Sequence, residues 1–149
     1  MRIEPVKNCD IETWLELVRE VEPLFGPMIG TAGFPEHLAM VVGEERAFCV
    51  RNERGELSGV IVVSHEKNEI EWLAVASRDQ QNGFGEKLLQ YAINQLDGQR
   101  PMVVQTFAEG VPTGMGARKL YRKCGFDESE SAGLNPAGLP TVILRRMPG

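Results

Sequence analysis

The chain has 149 residues, and 16 Lys+Arg against 21 Asp+Glu leave a net charge of −5 and a pI near 5.1, which disfavours a partner held mainly through phosphates. With 42% apolar residues, one domain spanning 1–149 can bury roughly 68–70% of its unfolded surface without disulfide staples. Cys9, Cys49 and Cys124 lie 40 and 75 residues apart, which suits neither a paired framework nor a zinc site, and the longest apolar runs are five residues with no signal-peptide stretch at the start, so a cytoplasmic protein without membrane spans is expected.

In chain order, residues 1–7 read as a short extended segment. Asp10 stands at an N-cap position ahead of Ile11, Trp14, Leu15, Val18 and Val21, a helical stripe. Residues 24–35 carry Gly26, Pro27, Gly30, Gly33 and Pro35 among Phe25, Met28, Ile29 and Phe34, and read as a partly apolar loop before a short helix over 36–42. Strands are expected at 47–51 and 57–64, joined through a polar turn containing Gly55, with a third strand over 69–76. A helix over 83–96 and a strand over 101–107 complete a strand–helix–strand unit, whose two strands should run parallel if they share a sheet. A last helix over 116–123 stops at Gly125, followed by a Gly- and Pro-rich segment over 128–140 and a terminal strand over 141–146.

The stretch Val75-Ala76-Ser77-Arg78-Asp79-Gln80-Gln81-Asn82-Gly83-Phe84-Gly85-Glu86-Lys87-Leu88 takes a strand end through a Gly-containing turn into a helix. Backbone N–H groups converge there, the helix dipole favours an anion, and Gly83 and Gly85 let phosphate oxygens approach the main chain. A purely structural turn is the other reading. A dinucleotide fingerprint would want Gly where Leu88 stands, and the Gly-Lys-Ser/Thr of a P-loop does not occur.

Downstream lies Ala117-Arg118-Lys119-Leu120-Tyr121-Arg122-Lys123-Cys124-Gly125-Phe126. Together the two stretches resemble the GNAT superfamily of acyl-CoA-dependent N-acyltransferases. Gln80, Gly83 and Gly85 match its Gln/Arg-x-x-Gly-x-Gly/Ala signature, and Ala117, Tyr121, Gly125 and Phe126 match its tyrosine helix. Two positions depart from common members: Gln81 replaces a second glycine, and Gly114 replaces an asparagine that contacts the cofactor.

The resemblance implies a mixed α/β domain with a central, mostly antiparallel sheet, helices on both faces, and one parallel strand pair splayed to form the acyl-CoA cleft. It implies acetyl-CoA as cosubstrate, no metal, a pantetheine arm paired with Leu73, Ala74 and Val75, and a pyrophosphate held over Gln80, Gln81, Asn82, Gly83, Phe84, Gly85, Glu86 and Lys87. Glu69 falls where histone acetyltransferases of the superfamily carry their base, with Glu71 as a substitute, and Tyr121 falls at the acid that protonates the CoA thiolate. Glu69 and Glu71 share strand parity and should face one side, with Trp72 opposite; a solvated face for the glutamates and a core role for Tyr121 are the plainer alternatives. His37 and His65 are 28 residues apart with no ligand spacing beside them.

The expected reaction is transfer of an acetyl group to a primary amine of a small molecule or peptide. The acceptor should combine a cationic nitrogen with apolar bulk, with the loops over 30–33 and 128–140 closing on it. Two rivals remain at this stage: an acyl-CoA-binding regulatory module without turnover, and an RNA-directed (aminoacyl-tRNA) acetyltransferase, the latter disfavoured by the acidic pI. No nucleic-acid or membrane partner is expected, and a homodimer is left open.

Overall fold

In the computed structural model, which describes residues 2–25, 34–79, 83–108, 115–135 and 138–148, the centre is laid down by β2 (Ala47–Arg51) and β3 (Leu57–Ser64), whose residues are buried almost throughout. Alternate side chains of these strands enter two separate cores. Phe48, Val50, Ile61 and Val63 pack on one face, and Ala47, Cys49, Val60 and Val62 on the other, as the two-residue period of a strand requires.

Helices cover both faces. α1 (Ile11–Phe25) and α2 (Phe34–Gly43) place Trp14, Leu17, Val18, Leu38 and Val41 against the second core. α3 (Phe84–Gln95) and α4 (Met115–Lys123) place Leu88, Leu89, Ala92 and Tyr121 against the first. Asp10 does not face α1 as expected. Its carboxylate accepts the Lys7 N–H at 3.0 Å, closing the 3₁₀ turn Asn8–Asp10, and pairs with Arg51 at 3.0 Å. At the other end of the chain, α4 stops at Gly125, whose φ of +96° suits glycine, with the Phe126 N–H returning to the Tyr121 carbonyl at 2.9 Å.

Seven strands form one sheet in the order β1-β2-β3-β4-β5-β7-β6, where β1 is Ile3–Pro5, β4 Glu69–Val75, β5 Met102–Phe107, β6 Asp127–Leu134 and β7 Pro140–Arg146. Every neighbouring pair is antiparallel except β4 with β5. The expected sheet class and parallel pair are therefore present. The segment over 128–140, expected as a loop, is largely strand β6. Its sequence lacks apolar alternation because β6 is an edge strand whose side chains stay exposed, so its pairing comes from β7 rather than from burial. Of the two acceptor loops expected, this one is thus mostly sheet, and the stretch over 30–33 lies outside the described residues.

Candidate active site

The cleft arises because β4 and β5 part. Their ladder has two rungs, Glu69↔Val103 and Ile70↔Val104, after which β5 turns to pair with β7 over six rungs from Met102↔Arg146 to Phe107↔Thr141. Asn68 fastens the closed end. From a left-handed conformation (φ +53°) its Nδ2 donates to the carbonyls of Asp97 and Pro101, each at 3.0 Å, and its Oδ1 accepts the Asp97 N–H at 2.8 Å. The Val103 N–H donates to the Asn68 carbonyl at 3.1 Å. Beyond Ile70 no described strand continues the ladder on that edge of β4, which leaves the edge open to an extended ligand.

Across this opening stands α4. A cavity of about 220 Å³ is bounded by Ile70 and Leu73 of β4, Val104 and Thr106 of β5, and Ala117 and Tyr121 of α4. Tyr121 is 5% exposed, stacks edge-on against Phe126 with ring centroids 5.9 Å apart, and is held fully protonated because burial pushes its phenol up. It is therefore both a core residue and a wall of the cleft.

At the head of α3, Gly83 caps the helix with φ +77°, a left-handed conformation that costs a side chain about 1 kcal/mol or more, and its carbonyl accepts the Lys87 N–H at 3.1 Å. The Lys87 N–H is thus taken up within the helix, and the N–H groups of Phe84, Gly85 and Glu86 form its open end. Phe84 is buried in the core, fixing this end in place, and the Glu86 side chain pairs with Lys123 at 2.7 Å. At Gly85 a Cβ would stand 3.4 Å from Leu120 Cδ2, close to an ordinary contact, so packing alone does not demand glycine there. Gln80, Gln81, Asn82 and Gly114 lie outside the described residues. Leu73 and Val75 lean toward the α3 core, and Ala74 toward the α1/α2 core.

Sequence reasoning missed the anchor in front of this turn. Asp79, nearly buried, accepts the Ser58 hydroxyl at 2.7 Å and Asn52 Nδ2 at 3.4 Å, while the Ser77 N–H donates to Glu20 at 2.6 Å. These bonds tie the entry to the glycine turn to β3 and α1. No sequence motif marks them, because the partners lie 21 to 57 residues away.

The glutamates are arranged by a bulge. Trp72 opposes Val62 and Ile70 opposes Val63, so Glu71 is an extra residue in β4. The expected alternation fails here: Trp72 packs with Val62 in the α1/α2 core, and Glu71 and Trp72 together line a second cavity on that face instead of pointing apart. Glu71 is fastened by Arg46, whose Nη1 donates to its carboxylate at 2.5 Å and to the Val63 carbonyl at 2.9 Å. Glu71 also borders the Tyr121 cavity, whereas Glu69 sits at the paired end of the cleft between Ser64 and Val103. Burial, and then the charge of Glu71, raise the Glu69 carboxyl above its ordinary value, with Lys67 opposing.

Cys49 is a poor nucleophile, since burial pushes its thiol up to about 11, and burial likewise raises Cys124. Among the described residues no three His, Cys, Asp or Glu side chains group as a metal site would need, and no helix is long and apolar enough to cross a membrane.

A mixed sheet opened at its parallel pair, with a glycine-capped helix at one end of the opening and a tyrosine helix across it, is the arrangement expected from the resemblance to acyl-CoA-dependent acyltransferases. The chain belongs to the acetyltransferase (GNAT) family, whose model matches residues 14–126. No curated protein matches it significantly. Among solved structures it resembles a ribosomal-protein-alanine N-acetyltransferase from Brucella melitensis (16% identity, TM-score 0.78, covering 99% of each chain). It also resembles a phosphinothricin acetyltransferase from Sinorhizobium meliloti in complex with AcCoA (18%, TM-score 0.75, 99% of this chain and 88% of that one). A third is the ribosomal-protein-S18-alanine N-acetyltransferase from Escherichia coli (18%, TM-score 0.71, 99% and 92%). At such identities the likeness is one of fold.

Proposed function

We propose that this protein transfers an acetyl group from acetyl-CoA to a primary amine carried by a small molecule or peptide, by direct attack of the amine on the thioester. The observation that supports this most is the cavity where the open edge of β4 meets Tyr121. In this reading the pantetheine arm runs along β4 as an added strand, with the backbone around Leu73, Ala74 and Val75 pairing its amides. The pyrophosphate lies at the open end of α3, against the N–H groups of Phe84, Gly85 and Glu86, with Gln80, Gln81 and Asn82 as further contacts.

An amine of pKa about 10.4 is neutral in only roughly one molecule in a few thousand at pH 7, so a base is needed. Glu69 takes that proton through water. Its raised carboxyl fits the task better than Glu71, whose charge Arg46 already compensates. Glu71 faces the incoming ammonium instead. The nitrogen then bonds to the thioester carbon, a backbone N–H of β4 holds the oxyanion, and the C–S bond breaks as Tyr121, still carrying its proton, protonates the departing sulfur.

Thermal melting and thiol release test the reading together. Acetyl-CoA at one hundred times its dissociation constant should stabilise the fold by about 2.7 kcal/mol, with NAD and ATP far behind. Free thiol should appear with some amine of a mixed panel. Equal shifts from all three nucleotides would remove the cofactor assignment. Stabilisation without thiol release from any amine would leave a binding module.

A further inference from the structure

Asp79 stands where an acid should hinder. It is four residues ahead of Gly83, a reach of at most about 14 Å, and so lies close to the helix end assigned to the pyrophosphate. On charge alone a carboxylate there opposes the ligand. Its side chain is turned inward, however: Oδ2 accepts the Ser58 hydroxyl at 2.7 Å and Asn52 Nδ2 at 3.4 Å, and lies 3.2 Å from Arg78 Nε. Ser58 is fully buried and Asp79 nearly so, which shields the shortest of these bonds from water. The main chain around it is held as well. The Ala76 N–H donates to the Ser58 carbonyl at 2.7 Å, the Asp79 N–H to the Ala76 carbonyl at 2.9 Å, and Arg78 Nη2 to the Leu57 carbonyl at 3.2 Å. These bonds pin the 3₁₀ turn Ser77–Asp79 to β3. Beyond the glycine turn, Gly83 and the buried Phe84 are fixed by α3.

We infer that Asp79 is a positioning residue for acyl-CoA: through its bond to Ser58 it fixes the near end of the glycine turn and so lowers the ordering cost of binding the pyrophosphate. This rests on the acetyl-transfer reading given above. With both ends of the turn held by the fold, less chain entropy is lost when its backbone closes on an anion. The carboxylate thus favours the ligand by its geometry and opposes it by its charge. Asn52 and Arg78 soften the second effect, and the two effects predict opposite signs when the side chain is removed.

Variants of the whole protein separate the two. Ser58→Ala removes the bond and keeps the charge, Asp79→Ala removes both, and Asp79→Asn removes the charge but keeps an oxygen for the Ser58 hydroxyl. In Asp79→Ala the freed donors retain partners, since the Ser58 hydroxyl still reaches the Glu56 carbonyl at 3.3 Å and Asn52 Nδ2 the Glu56 carboxylate at 3.1 Å. Should that variant not fold, Ser58→Ala and Asp79→Asn decide. The dissociation constant of acetyl-CoA, measured by titration, should rise about three- to tenfold in Ser58→Ala and Asp79→Ala and return to within about twofold in Asp79→Asn. Turnover at saturating acetyl-CoA should hold, so that KM moves and kcat does not. Pantetheine, which carries the arm without the pyrophosphate, should compete equally well in the natural protein and in Ser58→Ala. Tighter acetyl-CoA binding in Asp79→Ala would make the carboxylate a repelling charge only and overturn the assignment. An unchanged constant in the folded variants, with thiol release to an amine intact, would remove the anchor and leave the transferase reading standing. Equal weakening of pantetheine and acetyl-CoA would place the fault in the whole cleft, again against the anchor. Weakening of acetyl-CoA alone, in a protein that releases thiol with no amine, would keep the anchor and remove the transferase reading.

Discussion

On the α3 and α4 side of the sheet the candidate cleft is framed mainly by backbone: an open strand edge, a helix N-terminus and a glycine turn, with Tyr121 as the one polar side chain of α4 facing in. On the α1 and α2 side the second cavity is framed by side chains drawn from distant parts of the chain, Trp14, Val41, Val62, Glu71 and Trp72. Backbone geometry tolerates sequence change provided the glycines and the strand order persist, whereas a side-chain pocket changes shape with each substitution. The first side therefore suits a ligand common to a family, and the second a ligand particular to one chain.

The largest expected effect lies at the seam between the two sides. Glu69→Gln should lower turnover near neutral pH by about 10²–10⁴-fold and recover in part in alkaline buffer, where the amine loses its proton unaided. Thiol release followed against pH checks this, and a loss that stays constant with pH would shift the base role to Glu71. Because the Glu69 carboxyl is raised, the natural protein should lose activity on acidification at a pH above the ordinary glutamate value of 4.5.

Tyr121→Phe sharpens the comparison from the cofactor side. The edge-on packing with Phe126 survives the substitution, so the melting temperature should hold while kcat falls by about 10²-fold and acetyl-CoA affinity stays. Full turnover in a folded variant would make Tyr121 a core residue only.

Arg46→Met tests the acceptor side. Removing the guanidinium leaves the charge of Glu71 uncompensated, which should raise the Glu69 carboxyl further and move the acid limb of the kcat/KM profile to higher pH, with a several-fold loss at neutrality. A limb that stays in place would detach Glu71 and Arg46 from the reacting proton. The smallest effect is expected for Gly83→Ala, about 1 kcal/mol of stability from forcing a side chain into φ +77°, together with weaker acetyl-CoA binding and unchanged kcat at saturation. Calorimetry and titration separate the two parts.

How much of this could be read beforehand differs between the two sides for the same reason. Strands β2 and β3 and the strand–helix–strand unit follow from local apolar runs and turn residues, and Gly83, Gly85 and Tyr121 stand in short motifs whose spacing encodes their geometry. The amino-acid sequence by itself determined the sheet class, the parallel pair and the family. Only the tertiary structure decided the rest. The bulge at Glu71 depends on register against Val62 and Val63, and the strand character of β6 on pairing with β7. Arg46 reaches Glu71 across 25 residues and Asp79 reaches Ser58 across 21, contacts that no local pattern announces. Trp14, one residue of an ordinary helical stripe, becomes notable because the fold seals its N–H away from every partner. Periodicity records which face of an element is buried, whereas the partner it meets there is fixed by packing among elements far apart in the chain.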